Sequence, residues 1–243
     1  GLNGGIYQCG TNGGEKQRAE QSALWEKAFP LGEIDRQTPV WRYLCARGLG
    51  DLVPSRELRF VKKLACWEVP DGQNIDGAAK ARLVGEFPAM LARLTNAEGK
   101  FITLHRTYLT ADGSKAPVHS AKKLAAGAVE NGVIRLYPAG GVVCLAEGIE
   151  TALSVHALTG LPAWSVVSLP GMKRFGPETI SDGVRTIRIC GDNDRSYAGA
   201  AGAYELASRL RRSRPELEVS VHIPQAAGTD WNDVLLAHGM LKL

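Results

Sequence analysis

The chain has 243 residues, of which 44% are hydrophobic and 22% charged, with a formal net charge of +4. That length can bury a substantial core in one large or two small domains. The composition is that of an ordinary soluble globular protein, and no apolar run approaches bilayer-spanning length, so no membrane partner is expected. Five cysteines, Cys9, Cys45, Cys66, Cys144 and Cys190, are widely spaced and include no Cys-x-x-Cys. The odd count and spacing argue against a disulfide framework or a zinc site, and for a reducing, cytoplasmic compartment.

The chain opens on Gly1-Leu2-Asn3, without methionine or a signal-peptide pattern, as expected of a processed chain or a piece of something longer. Glycine and asparagine over 1–14 predict a flexible leader. Ala19, Ala23, Leu24 and Ala28 predict an amphipathic helix from Glu15 to Phe29, ended by Pro30. A second helix is expected from Thr38, which can cap it, with Pro39 in its first turn and a stop near Gly48. Its aromatic residues, Trp41 and Tyr43, are expected in the core.

Ala81 to Leu109 predicts antiparallel sheet, with strands over 87–94 and 101–109 flanking the turn Asn96-Ala97-Glu98-Gly99. Facing in the second strand is ambiguous, so Arg106 could line a substrate channel or lie on the surface. Between Lys100 and Arg135 stand Lys100, Arg106, Lys115, Lys122, Lys123 and Arg135, against only Asp112 and Glu130. A basic segment beside an acidic site suits a polyanionic substrate that also carries metal.

From Arg135 onward strands alternate with helices, the pattern of a parallel α/β sheet. Strands are expected over 141–146, 163–167, 186–190 and 218–223, and helices over 150–158, 197–212 and 231–238. A boundary near Pro138-Ala139-Gly140-Gly141 separates a smaller α+β part, 15–140, from the α/β part, 141–243.

Three of these strands end in acids: Glu147 with Glu150, then Asp192-Asn193-Asp194, then Asp230-Trp231-Asn232-Asp233. Ligands of open α/β sheets sit at such carboxyl edges. Carboxylates that converge need a compensating cation, and oxygen donors favour magnesium, manganese or calcium. Each motif also has a structural use. Turns favour aspartate, and acids in a first helical turn, such as Glu150, Asp230 and Asp233, favour the helix dipole. The joint placement is what points to a site. Ala198-Gly199-Ala200-Ala201-Gly202-Ala203 lacks the order of a phosphate loop and is expected to let a helix pack close to the sheet. No hydrolase nucleophile pattern is present.

Glu147-Gly148 after one strand, Asp192-x-Asp194 after another and the alanine/glycine-rich helix beyond resemble the Toprim module, and within it the DnaG-like primases of bacteria, phages and mobile elements. Trp41-Arg42-Tyr43-Leu44-Cys45-Ala46-Arg47-Gly48-Leu49 is similar to an element near the start of the primase core. Phe87-Pro88, Glu98-Gly99 and Arg106 resemble the basic subdomain before Toprim. Ser168-Leu169-Pro170-Gly171 and Gly228-Thr229-Asp230-Trp231-Asn232-Asp233 are similar to its later loops. Two departures stand out: Glu150 takes a position where many relatives have aspartate, and Arg195-Ser196-Tyr197 lengthens the link from Asp194 to Ala198-Gly199.

The resemblance implies an α/β fold, with a C-terminal Toprim domain, a Rossmann-like parallel sheet flanked by helices, preceded by a smaller α+β basic subdomain. It implies a primase-type nucleotidyltransferase that makes short RNA primers on single-stranded DNA in phage, plasmid or mobile-element replication. Glu147, Asp192 and Asp194 would be catalytic and, with Asp230 and Asp233, would hold Mg2+ or Mn2+. Arg106, Lys115, Lys122 and Lys123 would contact nucleic acid or nucleotide. Expected partners are the single-stranded template, nucleoside triphosphates, and a replicative helicase or flanking domains of a longer protein. A Toprim nuclease and a non-catalytic nucleic-acid-binding module are the alternatives.

Overall fold

The computed structural model describes residues 11–69, 81–125 and 132–238. Of the predicted leader, residues 1–10 lie outside this range, while the first helix, α1 (Thr11–Lys27), already includes 11–14. It stops two residues before the expected end, because Phe29–Pro30 forms a short edge strand, β1. Proline suits such an edge, having no N–H to offer the sheet. The second helix, α2 (Pro39–Cys45), begins where expected, with Thr38 at the N-cap. Its capping differs from the expectation: the Thr38 hydroxyl donates to Asp35 O at 2.8 Å, and no side chain caps the helix.

Three long or paired strands follow: β2 (Leu58–Glu68), β3 (Arg82–Thr95) and β4 (Phe101–Tyr108), with the short β5 (Lys122–Leu124) beyond. They form an antiparallel sheet in the order β1-β2-β3-β4-β5. The sequence pattern does not single out β2, and the structure shows why. Its register slips between Val61 and Leu64, so a bulge absorbs Lys62-Lys63 and breaks the alternation by which strands are read.

The C-terminal part holds β6 (Val142–Ala146), α3 (Ile149–Thr159), β7 (Ala163–Ser165), α4 (Leu169–Arg174), β8 (Thr186–Cys190), α5 (Ala198–Ser213), β9 (Glu218–His222) and α6 (Trp231–His238). Its four strands are parallel, in the order β7-β6-β8-β9. The molecule is thus an α/β protein with a helix-flanked parallel sheet, preceded by an antiparallel α+β part. The Ser168-Leu169-Pro170-Gly171 segment, read as a loop, starts α4: Ser168 Oγ accepts from Gly171 N at 3.2 Å.

Alternation along the strands sorts the core into layers. Val143, Leu145, Ile187 and Ile189 pack with Ala203, Leu206 and Leu210 of α5. Cys144, Ala146 and Cys190 face the other way, into a cluster that joins Ile149, Ala152 and Leu153 of α3 to Val40, Trp41, Tyr43 and Leu44 of α2 and to Leu58, Phe60 and Met90 of the antiparallel sheet. The opposite face of that sheet is covered by Trp25 of α1 and by Ala28 just beyond it, against Leu91, Leu104 and Tyr108. One core therefore runs continuously from the antiparallel part into the parallel part.

Candidate metal centre and nucleic-acid interface

Of the five predicted acidic ligands, Glu147 lies just past β6 and Asp192 and Asp194 just past β8, while Asp230 and Asp233 stand at the start of α6, which follows β9. An isolated bridge between Asn193 and Thr229 ties the second acidic loop to the third: Asn193 N donates to Thr229 O at 3.0 Å, and Gly228 N to Asn193 O at 2.6 Å. Asn193 Nδ2 adds a bond to Pro224 O at 2.8 Å, and Trp231 Nε1 one to Gly191 O at 3.2 Å. Asp192 and Asp230 are held together by this lacing.

Three helix N-termini carry four of the acids. Their first N–H groups have no partner within the helix and present partial positive charge. Leu169 N, at the start of α4, donates to the Glu147 carboxylate. Asp194 takes the start of α5: Oδ2 accepts from Gly199 N at 2.7 Å, while Oδ1 accepts from Ser196 N at 2.9 Å, Ala198 N at 3.3 Å and the Ser196 hydroxyl. At α6, Asp230 Oδ1 accepts from Asn232 N at 2.8 Å and Asp233 N at 2.9 Å, and Asp233 Oδ2 returns a bond to Asp230 N at 3.0 Å. That is a reciprocal capping box in which aspartate replaces the usual glutamate. Both acids keep one oxygen outside it.

Asp192 is the exception. Its Oδ1 is buried without a hydrogen-bond partner. Burial, joined by the charges of Asp230, Glu147, Asp194 and Asp233, pushes its carboxyl up to about 7. Glu147 is also raised, by burial and then by the charge of Asp194. Asp194 is lowered by the bonds from Ser196 and Gly199. Among the described residues no three acid, histidine or cysteine side chains already close on a common point at metal-binding distance. The donor set nonetheless fits a hard divalent cation: all the donors are oxygens, and the buried, unpartnered Asp192 oxygen repelled by four acids is what such an ion would compensate.

The basic residues divide by strand face. His105 and Lys122 point toward α3, whereas Arg106 and Lys123 point to the α1 face. Lys123 Nζ bonds Glu68 Oε1 at 3.0 Å and Trp67 O at 2.8 Å. Arg106 bonds the Tyr108 hydroxyl. Lys122 Nζ meets Glu150 Oε2 at 2.7 Å. Lys115 is lowered by burial and then by Lys122, and feels Glu150 and Asp230 as well. Lys115 and Lys122 therefore lie on the acidic side of the molecule, and Arg106 and Lys123 do not.

Sequence reasoning missed the cluster around Glu150. This residue is 8% exposed and accepts from the Tyr43 hydroxyl as well as from Lys122. Burial alone would raise its carboxyl, but the Lys122 charge and the bonds from Lys122 and Tyr43 hold it at about 2. The same contact and burial push the Tyr43 hydroxyl far up, and burial takes His105 down to about 4. A first-turn acid flanked by Ile149, Ala152 and Leu153 was the available signal, since that helix offers it no solvated face.

Residues 15–136 match the family described as "Domain of unknown function (DUF7146)", and residues 142–240 match "Toprim domain". No curated protein matches the chain. Among solved structures, a DNA primase domain from Pseudomonas aeruginosa is similar at 14% identity and TM-score 0.58, covering 91% of this chain and 75% of that one. The Escherichia coli primase catalytic core is similar at 12% identity and TM-score 0.58, covering 91% and 76%. A DnaG primase catalytic domain bound to single-stranded DNA gives 12% identity and TM-score 0.59, covering 93% and 75%. The antiparallel part followed by the parallel sheet is the fold that this chain shares with those primase cores. The chain belongs to the DUF7146 family, carries a Toprim domain after that module, and has the fold of a Toprim-domain primase core.

Proposed function

We propose that this chain is a primase-type nucleotidyltransferase core, making short RNA primers on single-stranded DNA by divalent-metal-dependent phosphoryl transfer in phage, plasmid or mobile-element replication. The observation that carries the reading is the buried, unpartnered Asp192 carboxylate among four further acids at the ends of three parallel strands. The primase-core fold supports it, as does the single-stranded DNA held by one similar structure.

Asp192, Asp194 and Glu147, with Asp230 or Asp233, would hold magnesium or manganese. When bound, such an ion supplies charge to the nucleotide triphosphate and to the attacking 3′-hydroxyl. Asp194 and Asp230 are oriented by the helix starts that they cap, so their free lone pairs are aimed before substrate arrives. Glu147, whose carboxyl burial pushes up, is suited to take a proton released in the transfer. Lys115 and Lys122 would hold phosphates beside the acids, while Arg106 and Lys123 add to the longer-range positive field. Binding of the template would weaken with salt. A helicase, or flanking domains of a longer protein, would supply template selection and processivity.

The test is primer synthesis from labelled ribonucleotides on mixed single-stranded templates with magnesium or manganese, for the wild type and an Asp192→Ala, Asp194→Ala double variant. Short products that disappear in the variant are expected. Metal-dependent loss of template without products would replace this reading with a nuclease. Absence of both activities, with binding retained in the variant, would replace it with a non-catalytic binding module.

A further inference from the structure

Of the extra residues Arg195-Ser196-Tyr197, Ser196 binds Asp194, whereas Arg195 and Tyr197 have no part in the proposed reaction, yet the structure holds Tyr197 in a costly form beside it. Tyr197 is the N-cap of α5 at φ 60° and ψ 11°, a left-handed conformation that a residue with a Cβ adopts only at a cost. Asp194 imposes it. Its carboxylate binds the backbone on both sides of Tyr197, at Ser196 N and Ala198 N, and Tyr197 N donates to Asp194 O at 2.9 Å. The outcome is a ring raised into solvent: Tyr197 is 69% exposed, whereas Tyr43 and Tyr108 are 0% and 1% exposed. Among the described residues no aromatic or cation–π partner covers it.

Arg195 is exposed as well and makes no ion pair or hydrogen bond among the described residues. Its side chain lies against the turn that leads to Asp230, with Nε 3.8 Å from where a Cβ on Gly228 would stand. A free guanidinium and a free aromatic face thus border the acidic cluster on one side. Planar rings bind nucleobases by stacking with little regard to sequence, and guanidinium binds phosphate.

We propose that Tyr197 is a nucleobase-stacking residue of the acidic site, with Arg195 on an adjacent phosphate. The inference rests on the reading of that site as nucleotide-handling. The base can belong to a mononucleotide or to a strand. Tyr204, 61% exposed on α5 and seven residues further along the chain, offers a second ring for a strand.

The experiment titrates the full chain, with magnesium, against a nucleoside triphosphate, a labelled oligodeoxythymidine and the same oligomer carrying abasic sites. Tyr197→Ala and Tyr197→Gly are expected to weaken binding about 5- to 100-fold, and Tyr197→Phe by less than about twofold, because stacking needs the ring and not the hydroxyl. Tyr197→Gly should unfold at the same temperature as wild type or higher, since glycine relieves the positive φ, so a binding loss cannot come from misfolding. The probe that loses affinity identifies the source of the base. Equal binding by wild type and Tyr197→Ala, or an equal loss on the abasic oligomer, overturns the inference alone, provided that wild type makes primers. Failure of wild type to bind any probe overturns the inference together with the proposed function.

Discussion

Asp192 concentrates the electrostatic cost of the site in one side chain. Its folded carboxyl stands at about 7, above the ordinary aspartate value near 4, so between those values the folded protein holds more protons than the unfolded chain. Stability without divalent cation should therefore fall as pH rises from about 4 to about 7, the sign opposite to that of a salt-bridged aspartate. Asp192→Asn should raise the melting temperature at pH 8 by about 2–6 °C and leave it nearly unchanged at pH 4. Magnesium should raise the melting temperature of wild type and not of Asp192→Asn. Calorimetry at the two pH values, with and without magnesium, checks both statements. A variant less stable than wild type at pH 8 would mean that Asp192 has a partner in solution.

At the scale of elements, three helices begin next to the acids. The α5 helix shows the fit most directly. A Cβ placed on Gly199 would lie 2.8 Å from Asp192 O and 3.0 Å from Asp194 Oδ2. The small residues of this helix are thus needed for close approach, as their sequence pattern suggested. Gly199→Ala should destabilise by about 1–3 kcal/mol through overpacking against backbone that cannot move aside. It should also weaken magnesium binding, measured by the metal-induced rise in melting temperature. Gly183→Ala, in open space, serves as the comparison. The start of α4 and the Lys62-Lys63 bulge of β2 show what escapes a pattern search: a six-residue helix and an interrupted strand carry too few periods to be recognised.

Across the whole molecule, the Tyr43–Glu150–Lys122 cluster joins α2 and β5 of the first module to α3 of the second, over a core that is itself continuous. Asn232 Nδ2 adds a bond to Arg47 O at 2.8 Å. The two modules should therefore unfold in one transition. Glu150→Gln should lower the stability of that transition by about 1.5–3 kcal/mol, the worth of hydrogen bonds to a charged group. The folded Glu150 carboxyl, at about 2, is depressed, so its contribution is present above the unfolded value near 4.5 and is lost as pH falls toward 2. Chemical denaturation of both proteins at pH 7 and pH 3 measures this: the difference between them should shrink at the lower pH. Two separate transitions in wild type would contradict the shared core.

By itself, the sequence determined the alternation of strands and helices after Arg135, the β3–β4 hairpin, and the placement of Glu147, Asp192, Asp194, Asp230 and Asp233 at strand ends. These are local matters, set by hydrophobic period and turn chemistry within a few residues. Tertiary structure alone decided which acid is left without a partner, which lysines share its side of the molecule, and that Glu150 is an interior ion-pair partner rather than a solvated helix-dipole residue. Those outcomes depend on strand facing and on distances between segments far apart in the chain, 107 residues in the case of Tyr43 and Glu150. A one-residue change of register turns a side chain to the opposite face, and no local pattern reports how far apart two such segments come to rest.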